Sequence, residues 1–365
     1  MLILKNIFQI HSVAGIIAGV FLLLLSLSGS VLVFSDEIDE AMNSELFHLP
    51  VNGAEPQPLE KLYSNAKAYL GHHPFMYFLR LPQNPGEPVI LRAEYGPEHK
   101  VYILMNPYTG EVVGTRSNKG YFTGWLLYLH FTLLAGKSGA MVQLFIGGIF
   151  LISLVTGIII YRKSFGKVLA FKSKLEWSNP RRRWRNLHRI VGVWSVVFNL
   201  LIVVTGILMQ VKVVNARKDM SVIQGYGAHR LAFDDYYKIA KQAMPDLNIL
   251  GIRLPKAEGG PVVVMGNQGG TKFFGEYNSG VQVDAASGKV VKVLDFNNAS
   301  FSQKFAAAVK PLHFGNYGGI FLKIVYSLFG LMPGILSLSG TVILLRRTLL
   351  KPKGKVVKKQ LAGIT

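Results

Sequence analysis

HSVAGIIAGVFLLLLSLSGSVLVF, residues 11–34, places 24 positions in a row without an acidic or basic side chain other than its leading histidine. A helix rises 1.5 Å per residue, so a run of this length crosses the roughly 30 Å hydrocarbon core of a bilayer. The uncharged run extends over residues 6–35, longer than a signal-peptide core, and no A-x-A cleavage site follows it. We therefore read it as a retained span. Residues 138–161, 190–211 and 324–345 have the same character. A closed β-barrel would show alternation rather than continuous apolar runs. Half of the 365 residues are hydrophobic and only 16% are charged, which suits a membrane protein built on four helices.

Laid against residues 188–211, HRIVGVWSVVFNLLIVVTGILMQV, the opening stretch aligns without a gap. His11 meets His188, Gly15 meets Gly192, and Ser28-Gly29 meets Thr205-Gly206. A second pair follows: LHFTLLAG (129–136) matches LHFGNYGG (312–319), so that His130 meets His313. Beyond it Thr156-Gly157 meets Ser339-Gly340. The chain reads as two copies of one unit, helix–outer domain–helix, running in the same direction and related by an axis along the membrane normal. Each outer segment holds a helical stretch, LEKLYSNAKAYL or FDDYYKIAKQAM. Each then has a hairpin, VYILMNPYTGEVVG or VQVDAASGKVVKV, turning at a Gly.

The expected fold is a membrane all-α four-helix transmembrane bundle from two parallel repeats, with two small α+β modules outside. The divisions are a first span to residue 35, a module over 36–120, and an interfacial segment with its span over 121–163. A basic loop (164–187), a span (188–211), a module (212–310), an interfacial segment with its span (311–347) and a basic tail (348–365) complete the chain.

The net charge of +20 is unevenly spread. Residues 162–189 carry ten Lys and Arg against Glu176, and residues 346–359 carry seven with no acid. Both stretches fall on one side of a four-span topology, which the positive-inside rule assigns to the cytoplasm, with both termini. The charge is thus topology and contact with lipid headgroups, and we expect no nucleic-acid partner. The absence of cysteine excludes disulfides, iron–sulfur clusters, thiolate catalysis and covalent haem attachment through C-x-x-C-H. The inner loop is too short for a nucleotide-binding domain and no G-x-G-x-x-G is present, so any reducing equivalent comes from a partner.

Of nine histidines only His11, His188, His130 and His313 recur in both copies, and all four stand at membrane boundaries. His11 and His130 belong to opposite faces and cannot share a ligand. Across copies His11 can face His188 and His130 can face His313, giving one bis-imidazole site per face. A haem iron takes two axial imidazoles from facing helices. Gly15 and Gly192, four residues after their histidines, would clear room for a macrocycle. Arg185 and Arg189 could pair with its propionates, or equally with lipid phosphate. The Ser/Thr-Gly pairs suit close helix packing as well as a cofactor. Zinc fits less well, because two histidines leave a tetrahedral site short of ligands. Filled axial positions favour electron transfer over oxygen binding. Trp125, Trp184 and Trp194 could relay charge, and His48, His72, His73, His99 and His229 receive no role.

HSVAG and HRIVG opening the odd helices, LHFTLLAG and LHFGNYGG before the even ones, and the paired Ser/Thr-Gly positions resemble the PepSY-associated transmembrane family of bacterial inner-membrane proteins. The resemblance covers nearly the whole chain and makes the outer modules PepSY-like and periplasmic. It implies two b-type haems with His11, His130, His188 and His313 as axial ligands to the haem iron. It further implies reduction of a ferric siderophore on the outer face, with a membrane quinol or a soluble reductase as electron donor. GNYGGI in the second copy stands where the first has LLAGKSGA, so the outer site need not be symmetric. The rival readings are a non-redox sensor or scaffold and a transporter. The transporter expects discontinuous helices and buried charges, which the sequence does not suggest.

Overall fold

The structure, a computed structural model, describes residues 2–51, 53–71, 74–96, 98–216, 229–269 and 272–349. His72, His73 and the basic tail from Lys351 onward lie outside the described residues. In chain order the elements are α1 (Leu2–Leu32), α2 (Ser35–Met42), α3 (Ser44–Phe47) and α4 (Leu59–Leu70). Strands β1 (Phe75–Arg80), β2 (Val89–Glu94), β3 (Lys100–Met105) and β4 (Val112–Ser117) follow, then α5 (Phe122–Thr132), α6 (Gly136–Tyr161) and α7 (Phe165–Leu169). Next come α8 (Pro180–Ala216), α9 (Phe233–Ala243), and β5 (Asn248–Arg253), β6 (Pro261–Asn267), β7 (Ser279–Asp284) and β8 (Val290–Leu294). The chain closes on α10 (Phe301–Phe314), α11 (Gly319–Gly330) and α12 (Met332–Leu349).

Four helical stretches are long and apolar enough to cross a membrane: Leu2–Leu32, Gly136–Leu169, Arg182–Ala216 and Gly319–Thr348. Each exposes large apolar side chains, such as Val20, Phe145, Val197 and Phe321, as lipid contact requires. Their polar residues Ser28, Thr156, Asn199, Thr205 and Ser339 are buried instead.

Two sequence expectations need correction here. The fourth span is interrupted at Leu331, between α11 and α12. Pro333, in the first turn of α12, has no N–H to continue the ladder from α11. That span also contains a charge: Lys323 is 8% exposed and its ammonium donates to both oxygens of Glu37, at 2.7 and 2.8 Å.

The chain folds as two compact units. One comprises residues 2–26, 149–200 and 331–349 and is helical; the other comprises 27–148 and 201–330 and contains all eight strands. The two separate α+β modules expected from the sequence are joined into one antiparallel sheet of order β4-β3-β2-β1-β5-β6-β7-β8. The seam is the pairing of β1 with β5 at Phe78 and Ile252, extended by Leu81 N–H donating to the Leu250 carbonyl. Two exposed sheet edges are thereby removed.

α4 and α9 pack on one face of this sheet. Phe78, Ile252, Phe233 and Tyr236 are fully buried between them, and the Phe78 and Phe233 rings stand 4.9 Å apart. The two helices also cap each other. Asp234 accepts from the backbone N–H groups of Leu59 and Glu60, and Glu60 accepts from the N–H of Phe233. Each carboxylate thus satisfies donors that the partner helix leaves free in its first turn. Hairpin sequence alone cannot encode that reciprocity, which is why the modules looked independent.

Candidate functional site: two facing imidazole pairs

In the helical unit His11 of α1 and His188 of α8 face each other with ring centres 6.2 Å apart and planes at 82°. His11 Nδ1 lies 2.9 Å from the Ser153 carbonyl and 3.3 Å from Thr156 Oγ1. A carbonyl can only accept, so His11 carries its proton on Nδ1. His188 Nδ1 lies 2.9 Å from Ser339 Oγ. The Ser339 hydroxyl donates its single hydrogen to the Ile335 carbonyl at 2.7 Å, so its oxygen accepts from Nδ1. Both rings are therefore held with a lone pair on Nε2.

These rings border an open-mouthed cleft whose lining is largely apolar with a few polar groups, the character of a cofactor site. Gly15 and Gly192 line it as the sequence suggested, and a Cβ on either would meet nothing nearer than 3.9 and 3.6 Å respectively. Arg189 lines it too, whereas Arg185 is not among its described lining residues. The buried Arg189 Nε has no hydrogen-bond partner among the described residues, while another of its nitrogens donates to Asn186 Oδ1. Arg347 completes the cationic mouth, its guanidinium 5.3 Å from the Phe8 ring centre. The sequence reading had counted Arg347 only as topology. Nothing in a basic run marks which arginine turns toward a cleft.

In the other unit His130 of α5 and His313 of α10 repeat the arrangement, with ring centres 6.4 Å apart and planes at 58°. Their Nδ1 atoms lie 2.9 Å from Ser28 Oγ and 3.0 Å from Thr205 Oγ1. The Thr205 hydroxyl donates to the Leu201 carbonyl at 2.7 Å and so accepts from His313. Burial pushes His130 down to about 3, helped by His313 beside it, and burial pushes His313 down to about 4. Both are neutral at physiological pH, the form that ligates a metal.

The surroundings differ where the sequence departed from symmetry. Gln143 donates to the His130 carbonyl at 2.8 Å, while at the aligned position Tyr326 donates to the Leu312 carbonyl at 3.0 Å. Both loops close on a glycine at positive φ, Gly136 and Gly319, but the loop after α10 opens on Gly315 at positive φ where the loop after α5 places Leu133 and Leu134 in that region.

A metal–imidazole bond is about 2 Å long and the ring centre lies about 1.2 Å behind its nitrogen, so two imidazoles on one metal stand about 6.4 Å apart. Both pairs meet that spacing, with Nε2 as the free donor of each ring whose tautomer the contacts decide. The donor set, the cleft and the unpartnered Arg189 nitrogen fit a bis-imidazole haem with anionic propionates. No group of three or more His, Cys, Asp or Glu side chains converges among the described residues.

Trp125, Trp184 and Trp194 make no ring contact with either pair among the described residues, and Trp194 packs on Phe171 instead. His48 pairs with Glu40, His99 packs on Tyr95, and His229 packs on Phe233. Each has a structural occupation.

No curated protein matches the chain. The family described as the PepSY-associated TM region matches residues 8–347, a stretch that takes in all four facing histidines and nearly all of the four spans. A membrane protein with this match over nearly its whole length belongs to the PepSY-associated transmembrane family.

Proposed function

We propose that this chain is a di-haem transmembrane electron-transfer protein that reduces a ferric siderophore on the periplasmic side, releasing iron. What carries the reading is the pair of facing imidazole couples at metal-bridging separation, 6.2 and 6.4 Å. His11 and His188 would hold one b-type haem and His130 and His313 the other; bound there, haem would supply one-electron redox chemistry. The chain's own residues orient the rings. Ser153, Thr156 and Ser339 hold the inner pair, and Ser28 and Thr205 hold the outer. Arg189 and Arg347 would bind the propionates, and the largely apolar lining of the cleft would take the macrocycle.

The proposal places the protein in a bacterial inner membrane as two parallel repeats, with both termini in the cytoplasm. Its outer domain would be built from two PepSY-like modules fused through the β1–β5 seam. A membrane quinol or a soluble reductase supplies the electrons. The oxygen donors of a siderophore hold hard Fe(III) far better than Fe(II), so one-electron reduction loosens the chelate.

Purified in detergent after expression with ample haem, the chain should give sharp low-spin b-type bands in a dithionite-reduced minus oxidised spectrum, with about two haems per chain. A colourless protein overturns the proposal and favours a sensor or scaffold.

A further inference from the structure

The Ser/Thr-Gly pairs admitted a packing explanation in sequence. In the structure each of the four meets one histidine of the facing couples. Thr156-Gly157 of α6 meets His11, and Ser339-Gly340 of α12 meets His188. Ser28-Gly29 of α1 meets His130, and Thr205-Gly206 of α8 meets His313. In every case the hydroxyl lies at Nδ1, between 2.9 and 3.3 Å, while the glycine lies beside ring atom Cε1. A Cβ on Gly29, Gly206, Gly157 or Gly340 would stand 2.9, 3.1, 3.2 or 3.4 Å from that Cε1. All four distances are shorter than the 3.5–4.0 Å optimum for carbon–carbon contact, clearly so at Gly29, Gly206 and Gly157 and only slightly at Gly340. Helix packing alone does not account for a hydroxyl and a missing Cβ on the same ring four times.

Resting on the di-haem reading, we infer that each Ser/Thr-Gly pair is a two-part clamp for an axial imidazole. The hydroxyl oxygen takes the Nδ1 hydrogen and fixes Nε2 as the ligating atom; the glycine admits the ring against the helix at the required tilt. Ser28, Thr156, Thr205 and Ser339 are thus positioning residues, acting through the histidines. The assignment is crosswise. α1 carries the ligand His11 near one end and, seventeen residues on, the clamp for His130; α8 carries His188 and, seventeen residues on, the clamp for His313. An acceptor on Nδ1–H makes the imidazole a stronger donor to iron, which favours the ferric state. Losing that acceptor should raise the potential of one haem and leave the other alone. Thr156 is the weakest case, because the Ser153 carbonyl already accepts from His11 at 2.9 Å.

The test measures haem content and midpoint potentials on the purified full chain. Gly29→Ala and Gly206→Ala should each cut haem from about two per chain to about one, with Gly157→Ala milder and Gly340→Ala mildest. Gly148→Ala, where a Cβ meets nothing within 4 Å, should keep both. Ser28→Ala and Thr205→Val, which remove no packing volume to speak of, should keep both haems and raise one potential, with Thr205→Ser restoring it. A two-haem wild type whose four glycine variants keep two haems at unshifted potentials overturns the clamp alone. A wild type without haem overturns the functional reading and the clamp together.

Discussion

A histidine at a membrane boundary is an ambiguous residue, and its partner decides what it is. His188 follows a run of arginines and opens an apolar stretch, a position that suits an interfacial hydrogen bond as well as a ligand. Its ring centre stands 6.2 Å from that of His11 and its Nδ1 is already occupied by Ser339, so Nε2 is the nitrogen left to bind a ligand. This geometry predicts that ligands deplete haem in pairs. His11→Ala and His188→Ala should each remove the same haem, and the double variant should remove no more than either single one, because one lost axial imidazole already frees the macrocycle. His130→Ala and His313→Ala should remove the other. Spectra in which His11→Ala and His188→Ala deplete different haems would sink the cross-pairing. The pairing of these four residues across the two copies was legible from their recurrence alone. The roles of Arg347, Ser153 and the Ser/Thr-Gly hydroxyls were not, because each depends on which side chain a neighbouring helix presents at that height.

Among the elements, α4 and α9 were readable as helices from their spacing of apolar residues, and the hairpins around Gly110 and Gly288 from their turn residues. Their mutual capping was not readable, since Asp234 and the Leu59 N–H it accepts are 175 residues apart. Asp234→Ala removes an acceptor shared by two backbone donors of α4 and should cost about 1–2 kcal/mol, the usual range for a lost helix cap. The thermal midpoint of the strand-bearing unit in detergent, followed by circular dichroism, checks this. Asp234→Asn, which keeps an acceptor, should recover most of the loss; equal losses in the two variants would show that the capping bonds are not the cause. The interruption at Leu331 was also missed. Pro333 sits in an otherwise uninterrupted apolar run, and hydropathy windows weigh a proline by its polarity rather than by its missing N–H.

For the whole molecule, the reading that matters most is direction across the membrane, because reduction outside requires the outer histidine pair to face the periplasm. Residues 162–189 are strongly basic and 346–359 wholly so, and four spans bring them to one side. A reporter active only in the cytoplasm should therefore work when fused after Thr365 and fail when inserted at the exposed Gly53. The reverse result would invert the topology and place the proposed reduction on the wrong face. The sequence by itself determined the number of spans, the four recurring histidines and the two strand–turn–strand units. All of these rest on local hydropathy, charge or repetition, which act over a few residues and survive without a fold. Only the tertiary structure decided that the two modules share one sheet, that Lys323 of the fourth span pairs with Glu37, and that each imidazole meets a hydroxyl and a glycine. Those are contacts between residues far apart in sequence, and they exist only when a buried polar or unpaired edge group finds the one distant partner that satisfies it.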